Sequence, residues 1–218
     1  MTAKHRVMTV SLVTLLCMGM GVTGYTGEPQ SIPVTNPDQR LEFDAFSILP
    51  PDGEGWSLMN PAPFRKGIPD LLVLFSKTAT PASRFHTVTA TVRGGRLPNM
   101  AGSRAEILQQ LASINFVQTE QRYRPVTFNI SPDKTLAPDC LRYDGVIEDR
   151  GVHGYQGSVF LWDQHGFVCI HPYVPEGAID IQYSQRWPQG EQPLPLEAEG
   201  EAFLRSLEFK HLPGHESQ

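Results

Sequence analysis

CLRYDGVIEDRGVHGYQGSVFLWDQHGFVCIH, residues 140–171, decides the fold, because it contains three apolar segments of strand length separated by polar and glycine-rich stretches. Residues 163–166, Asp-Gln-His-Gly, predict a four-residue hairpin loop between the last two segments. Residues 179–183 alternate apolar and polar side chains, which predicts a further strand. The second half of the chain is therefore predicted to be an antiparallel meander. The three segments span residues 140–148, 155–162 and 167–171.

The first half of the chain carries further strand signals. Residues 41–48 and 56–59 predict an opening hairpin, because the turn residues 50–55 separate them. Residues 71–77 form a continuous apolar run that is short enough for a buried strand. Residues 87–93 place apolar side chains on one face and threonines on the other, which again indicates a strand.

Two helices are predicted among these strands. Ser103 and Glu106 have the S-x-x-E spacing of a capping box, and apolar residues follow at helical spacing. A second helix is predicted at residues 196–206, with its leucines and a phenylalanine on one face. Residues 118–138 contain three prolines and predict an irregular segment or an edge strand. This order of elements predicts an α+β fold, a central antiparallel sheet with a mid-chain helix and a C-terminal helix.

The element order resembles the PsbP/Mog1-like fold. The resemblance rests on an opening hairpin that ends in G-x-G-W at residues 53–56, the helix near Ser103, the late meander, and FLRSLEF at residues 203–209. It covers about residues 40–210. Members of that fold are mostly non-catalytic binding or assembly factors, so the resemblance implies such a role. No binding residue of the family matches a position of this chain.

The N-terminus has the pattern of a secretory signal peptide, with a basic start, an apolar run and small residues up to Gly24. We predict a signal peptide at residues 1–24, a flexible linker at 25–39, one domain at 40–212 and a disordered tail at 213–218. The protein is then periplasmic or secreted, with no transmembrane segment after cleavage. Retention of the signal as an anchor, and lipid attachment at Cys17, are the alternatives.

Export determines how the remaining cysteines are interpreted. Cys140 and Cys169 remain after cleavage, and an even pair in an exported chain predicts a disulfide between two distant pieces of the sheet. A reactive thiol pair is the alternative, although such pairs usually lie close together in the sequence. The net charge of −5 becomes −7 when Lys4 and Arg6 are removed, because the cleaved segment contains no acidic residue. This charge argues against nucleic acid and anionic membrane surfaces as partners.

Candidate chemistry is concentrated around the predicted hairpin loop. Asp163, His165 and His171 have side chains that suit zinc or copper, although polar residues also belong in a tight turn. A serine hydrolase would pair Ser158 or Ser184 with one of these histidines, but the sequence contains no G-x-S-x-G motif. The acidic member of that triad would be Asp144 or Asp180.

A second candidate site lies at the end of the last strand. Tyr183, Arg186 and Trp187 are residue types that dominate binding hot spots, so they form a candidate binding patch. In the alternative, the two aromatic residues pack against the terminal helix and Arg186 pairs with Asp144 or Glu148.

The function predicted from the sequence is an exported, non-catalytic binding or assembly module of the cell envelope, without a cofactor. Its partner would be a protein or a small ligand of the envelope. The alternative is a small periplasmic hydrolase or a metal-binding protein that uses Asp163, His165 and His171.

Overall fold

The structure is a computed structural model that describes residues 31–59, 71–77, 85–97, 102–114, 122–152 and 157–211. The predicted signal peptide with Cys17, residues 25–30 of the predicted linker and the tail 213–218 lie outside these residues. The strands are β1 (Ser31–Pro33), β2 (Leu41–Glu42), β3 (Phe46–Ile48), β4 (Trp56–Met59), β5 (Leu71–Lys77), β6 (Thr87–Arg96), β7 (Tyr123–Pro132), β8 (Cys140–Asp149), β9 (Phe160–Ile170), β10 (Gly177–Pro188) and β11 (Glu208–Phe209). The helices are α1 (Arg104–Ile114) and α2 (Glu197–Arg205).

Within the described residues, eight strands form one antiparallel sheet in the order β1-β4-β5-β6-β10-β9-β8-β7. A small three-stranded sheet has the order β11-β3-β2. The two helices lie on opposite faces of the large sheet, because Val168 of β9 packs in a cluster with α1 whereas Phe167 packs in a cluster with α2. The predicted α+β fold with a mid-chain and a C-terminal helix is confirmed.

The capping box at the start of α1 is confirmed. Ser103 Oγ accepts a hydrogen bond from the Glu106 backbone nitrogen at 3.3 Å, and the Glu106 carboxylate accepts one from the Ser103 backbone nitrogen at 2.7 Å. This reciprocal pair satisfies backbone donors that a helix start leaves without partners. The proline-containing segment 118–138 includes β7, which is an edge strand of the sheet and shifts its register after Pro125.

The prediction of a hairpin loop at residues 163–166 is wrong, because β9 runs without interruption from Phe160 to Ile170. Gly166 pairs with Tyr143 of β8 on one side and with Gln182 of β10 on the other. A Cβ atom at Gly166 would lie 2.4 Å from the Tyr143 ring. The glycine thus lets an aromatic ring approach the backbone, and it does not make a turn.

The predicted opening hairpin also needs correction. Its two strands belong to different sheets: β3 lies between β2 and β11, whereas β4 lies between β1 and β5. The pairing of β3 with β11 is a contact with the end of the chain. β1, at Ser31–Pro33, falls within the stretch predicted as a linker and pairs with β4.

The disulfide between Cys140 and Cys169 is confirmed, with a Cα–Cα distance of 4.1 Å. It does not connect distant pieces of the sheet, because the two cysteines face each other in the register of the neighbouring strands β8 and β9. Both are buried in the core beneath α2.

Candidate functional site

A cleft of about 470 Å³ opens between α2 and the large sheet. Strands β8, β9 and β10 form its floor, α2 forms one wall, and the segment 193–196, Pro-Leu-Pro-Leu, forms the other wall. We call this segment the strap. The residues that line the cleft include two that the sequence placed in a metal site, Asp163 and His165, and one that it placed in a binding patch, Tyr183.

The strap is held to the sheet by the side chain of Gln185. Its amide nitrogen donates to the Leu194 carbonyl oxygen at 3.3 Å, and its amide oxygen accepts from the Leu194 backbone nitrogen at 3.1 Å. Pro193 and Pro195 restrict the backbone on either side of this clamp. The apolar wall of the cleft is therefore fixed in place before any ligand enters.

Asp163 and His165 form a hydrogen-bonded pair on the floor of the cleft. They are two residues apart in β9, so their side chains share a face, and His165 Nε2 donates to the Asp163 carboxylate at 3.0 Å. This hydrogen bond raises the pKa of His165 above its ordinary value, against the opposing effect of burial. The histidine is therefore held in one orientation, with Nδ1 as its second polar atom.

Tyr183 lies beside this pair, because it is the register partner of His165 in β10. α2 packs closely over the tyrosine: a Cβ atom on Gly200 would lie 2.6 Å from its ring. The Tyr183 hydroxyl is buried and has no hydrogen-bond partner among the described residues. Burial, followed by the charges of Glu199 and Asp163, raises the pKa of Tyr183, so the hydroxyl stays protonated.

A second ion pair lines the cleft. Arg142 of β8 donates two hydrogen bonds to the Glu201 carboxylate of α2, at 3.0 and 2.9 Å. Glu201 also accepts a hydrogen bond from Arg205 at 2.6 Å. Burial alone would raise the pKa of Glu201, but the hydrogen bonds from the two arginines outweigh burial and lower it.

The predicted metal site needs correction, because His171 does not join Asp163 and His165. The two histidines are six positions apart along the chain, which in extended conformation is about 20 Å. His171 is buried, where Nε2 donates to the Ala45 carbonyl oxygen at 2.8 Å and Nδ1 accepts from the Tyr173 backbone nitrogen at 3.2 Å. Both ring nitrogens of His171 thus form hydrogen bonds within the protein. No group of three or more potential metal ligands occurs within the described ranges.

The three residues of the predicted binding patch do not form one exposed surface. Tyr183 and Trp187 are buried, and Arg186 faces the opposite side of β10. Arg186 donates to Asp149 at 3.0 Å, and not to Asp144 or Glu148. A binding role stays a prediction for Tyr183, which lines the cleft.

The residues proposed for a serine triad are also separated. Ser184 lies on the face of β10 opposite to His165 and forms a hydrogen bond with Thr89 at 2.9 Å. Ser158 is exposed ahead of β9. The described residues that line the cleft include no serine, threonine or cysteine.

The strap and Gly200 are the parts of the site that sequence reasoning missed. The only sequence signal for the strap is the P-x-P pattern ahead of the last helix, and Gly200 is a glycine inside a predicted helix, which often indicates a close packing contact. Neither pattern indicates by itself that a cleft is present.

None of the helices in the described part of the chain combines the length and the apolar character that a membrane span requires.

No protein-family model matches the chain, and no curated protein sequence does either. Among solved structures, the chain is similar to LpqN of Mycobacterium tuberculosis, described as involved in cell envelope biogenesis, with 13% identity, a TM-score of 0.44 and coverage of 84% of this chain and 92% of that chain. It is also similar to the Ran-binding protein Mog1p of Saccharomyces cerevisiae, with 10% identity, a TM-score of 0.40 and coverage of 85% and 95%. Mog1p is one of the two proteins that give the PsbP/Mog1-like fold its name.

Proposed function

We propose that this protein is an exported, non-catalytic binding module of the cell envelope and that the cleft beside α2 holds its ligand. The observation that carries the proposal is a preformed cleft of about 470 Å³ that combines an apolar wall, the strap, with two hydrogen-bonded polar pairs. Ligand sites commonly combine such a volume with apolar walls and a few fixed polar groups.

The polar groups of the cleft support binding because they are already oriented. The Asp163–His165 and Arg142–Glu201 pairs neutralise charge within the protein and hold their side chains in fixed positions. The clamp on Leu194 fixes the apolar wall in the same way. A ligand that enters this cleft loses little affinity to the ordering of protein side chains.

Export is supported by the signal-like N-terminus and by the Cys140–Cys169 disulfide, since such bonds persist in oxidising compartments. The mature protein should begin within a few residues of Tyr25. Intact-mass analysis of the protein from a native envelope fraction tests this. Retention of Met1, or a start at Cys17 with added lipid mass, would contradict release into the periplasm or medium.

Binding is tested with a variant that fills the cleft. Oxidised protein is incubated with a total envelope extract, purified again and examined by native mass spectrometry for retained small molecules. Leu196→Trp places a large ring in the cleft lining, and Leu72→Trp makes the same change at an exposed position of β5.

The wild-type protein and Leu72→Trp should retain the same molecule, and Leu196→Trp should lose it while its melting temperature stays close to that of the wild type. If the wild-type protein retains nothing, or if Leu196→Trp retains the molecule equally well, the cleft is not the binding site.

A further inference from the structure

The charges around the cleft are balanced at Arg142 and unbalanced at Asp163. Arg142 donates two hydrogen bonds to Glu201, so these two charges neutralise each other. The register partner of Arg142 in β9 is Phe167, which lies four residues from Asp163. Four residues of extended chain span about 13 Å, so the arginine belongs to a different part of the floor from the aspartate.

Three carboxylates accompany one imidazole around Asp163. Asp163 accepts the hydrogen bond from His165, and Asp144 is the register partner of His165 in β8. The hydrogen bond to Asp163 and the charge of Asp144 both raise the pKa of His165. Glu197 lines the cleft directly after the strap, which Gln185 holds to the sheet beside Asp163. Even a protonated His165 therefore leaves a surplus of two negative charges.

The oxygen atoms of these carboxylates are open to a ligand. The Asp163 side chain is 21% exposed, and among the described residues only its Oδ2 atom has a hydrogen-bond partner. Glu197 is exposed and has neither a hydrogen-bond partner nor an ion-pair partner in the described part of the chain. Carboxylate oxygens only accept hydrogen bonds, so a ligand group beside them must be a donor, and a positive charge on it is attracted. An ammonium group meets both requirements.

The same cleft disfavours an anion and favours an aliphatic body. Both basic groups of the described lining are already paired, Arg142 with Glu201 and His165 with Asp163, so an anion would meet only the surplus of negative charge. The strap and Leu204 give the cleft apolar walls. An alkyl chain removes these walls from water while a charged end reaches the carboxylates.

We infer that the ligand of the cleft carries an aliphatic primary ammonium group, which binds beside Asp163 and Glu197 while its alkyl chain packs against the strap. This inference rests on the proposed function, and it specifies the chemical class of the ligand. The ammonium group would come from a small free amine or from the lysine side chain of a peptide. The chemistry in the cleft is the same for both.

The test compares the charge of the ligand at a constant chain length. Hexylammonium, hexanol and hexanoate are the three matched probes, and a blocked lysine, Nα-acetyl-lysine methylamide, represents the peptide source. The oxidised protein with labelled leucine methyl groups is titrated with each probe by NMR, and the signals of Leu194, Leu196 and Leu204 report on the cleft.

Three variants change the charge of the protein by the same amount. Glu197→Gln and Asp163→Asn each remove one negative charge from the cleft and keep the size of the side chain. Glu176→Gln removes one negative charge at an exposed position ahead of β10, outside the cleft lining, and serves as the control.

We expect the tighter of the two ammonium probes to bind at least fivefold more tightly than hexanol and hexanoate, and this probe identifies the free-amine or the lysine source. Glu197→Gln and Asp163→Asn should each weaken its binding at least threefold, because each removes an attractive charge. Glu176→Gln should leave the affinity unchanged.

Two kinds of failure can be distinguished. If none of the four probes shifts the leucine methyl signals, the cleft does not bind ligands of this size and the proposed function fails. If hexanol or hexanoate binds as tightly as the ammonium probes, or if Glu197→Gln binds them as Glu176→Gln does, the cleft still binds ligands but the inferred ammonium class is refuted.

Discussion

Gly166→Ala should destabilise the protein by about 3 kcal/mol, because Gly166 lies in the middle of a paired strand beneath an aromatic ring. The added Cβ atom would lie 2.4 Å from the Tyr143 ring and hydroxyl, and 2.6 Å from the Ile181 carbonyl oxygen. Neither neighbour can move freely, since β9 is hydrogen-bonded to β8 on one side and to β10 on the other.

The magnitude combines two losses and one smaller gain. Overpacking of a core position costs about 1–3 kcal/mol. Displacing the ring also breaks the hydrogen bond that the Tyr143 hydroxyl donates to Asp180 at 2.6 Å, and an unsatisfied buried polar group costs about 1–3 kcal/mol. Alanine also lowers the conformational entropy of the unfolded chain, which offsets about 0.4–1 kcal/mol of this loss of stability. The expected loss in the free energy of unfolding is therefore about 3 kcal/mol.

The assay is urea denaturation of the oxidised protein, which gives the free energy of unfolding with the disulfide intact. Gly95→Ala is the matched control, because Gly95 also lies inside a strand, β6, and a Cβ atom there would meet nothing within 4 Å. The control should change the free energy by no more than about 1 kcal/mol in either direction. If Gly166→Ala behaves like the control, the Tyr143 ring does not cover Gly166 and the account of β9 is refuted.

Three further predictions concern packing and ionisation. Gly200→Ala should lower the free energy of unfolding by about 1–3 kcal/mol, because the added Cβ would meet the Tyr183 ring at 2.6 Å. This loss should exceed the gain from the better helix propensity of alanine. A variant that is more stable in urea would contradict the contact. Arg186→Ala should lower the free energy of unfolding by about 1–3 kcal/mol, because it removes a hydrogen bond from the buried carboxylate of Asp149. An unchanged midpoint of urea denaturation would show that this ion pair contributes nothing to stability. The pKa of His165 is raised in the folded protein. Its contribution to stability should therefore be complete below the unfolded pKa of about 6.5 and lost as the pH rises through the folded pKa. The free energy of unfolding measured against pH should lose this component in His165→Gln, and an unchanged profile would refute the prediction.

Local patterns predicted the elements whose signals are contained in a few neighbouring residues. The alternation of Val88, Ala90 and Val92 places all three in the core, and each is fully buried in β6. The Ser103–Glu106 spacing predicts a capping box, whose hydrogen bonds join residues only three apart. In both cases the interactions that decide the structure lie within one element or one turn.

The wrong predictions depend on contacts between residues that are far apart in the sequence. Asp-Gln-His-Gly at 163–166 has the composition of a turn, but the approach of Tyr143 from another strand explains why a glycine is needed there. The opening hairpin fails because β3 pairs with β11, which lies about 160 residues later in the chain. No local pattern specifies such partners.

The candidate site depends both on local sequence patterns and on contacts between residues that are far apart in the sequence. The sequence analysis placed Asp163 and His165 in a candidate metal site with His171, and it placed Tyr183 in a separate binding patch with Arg186 and Trp187. The register of β9 against β10 places His165 directly beside Tyr183 and Asp163 beside Gln185. Antiparallel strands keep opposed side chains on one face about 4.5–5.5 Å apart, so the register converts two candidate sites into one.

The position of the cleft follows from a change of polarity along β9 and β10. On the face beneath α2, the apolar pair Phe167 and Ile181 is followed by His165 beside Tyr183. The helix packs over Tyr183 through Gly200, whereas His165 stays partly exposed and lines the cleft. The next pair, Asp163 and Gln185, also lines the cleft, and Gln185 holds the apolar strap beside it. The same face therefore supplies both the core contact of α2 and the floor of the cleft.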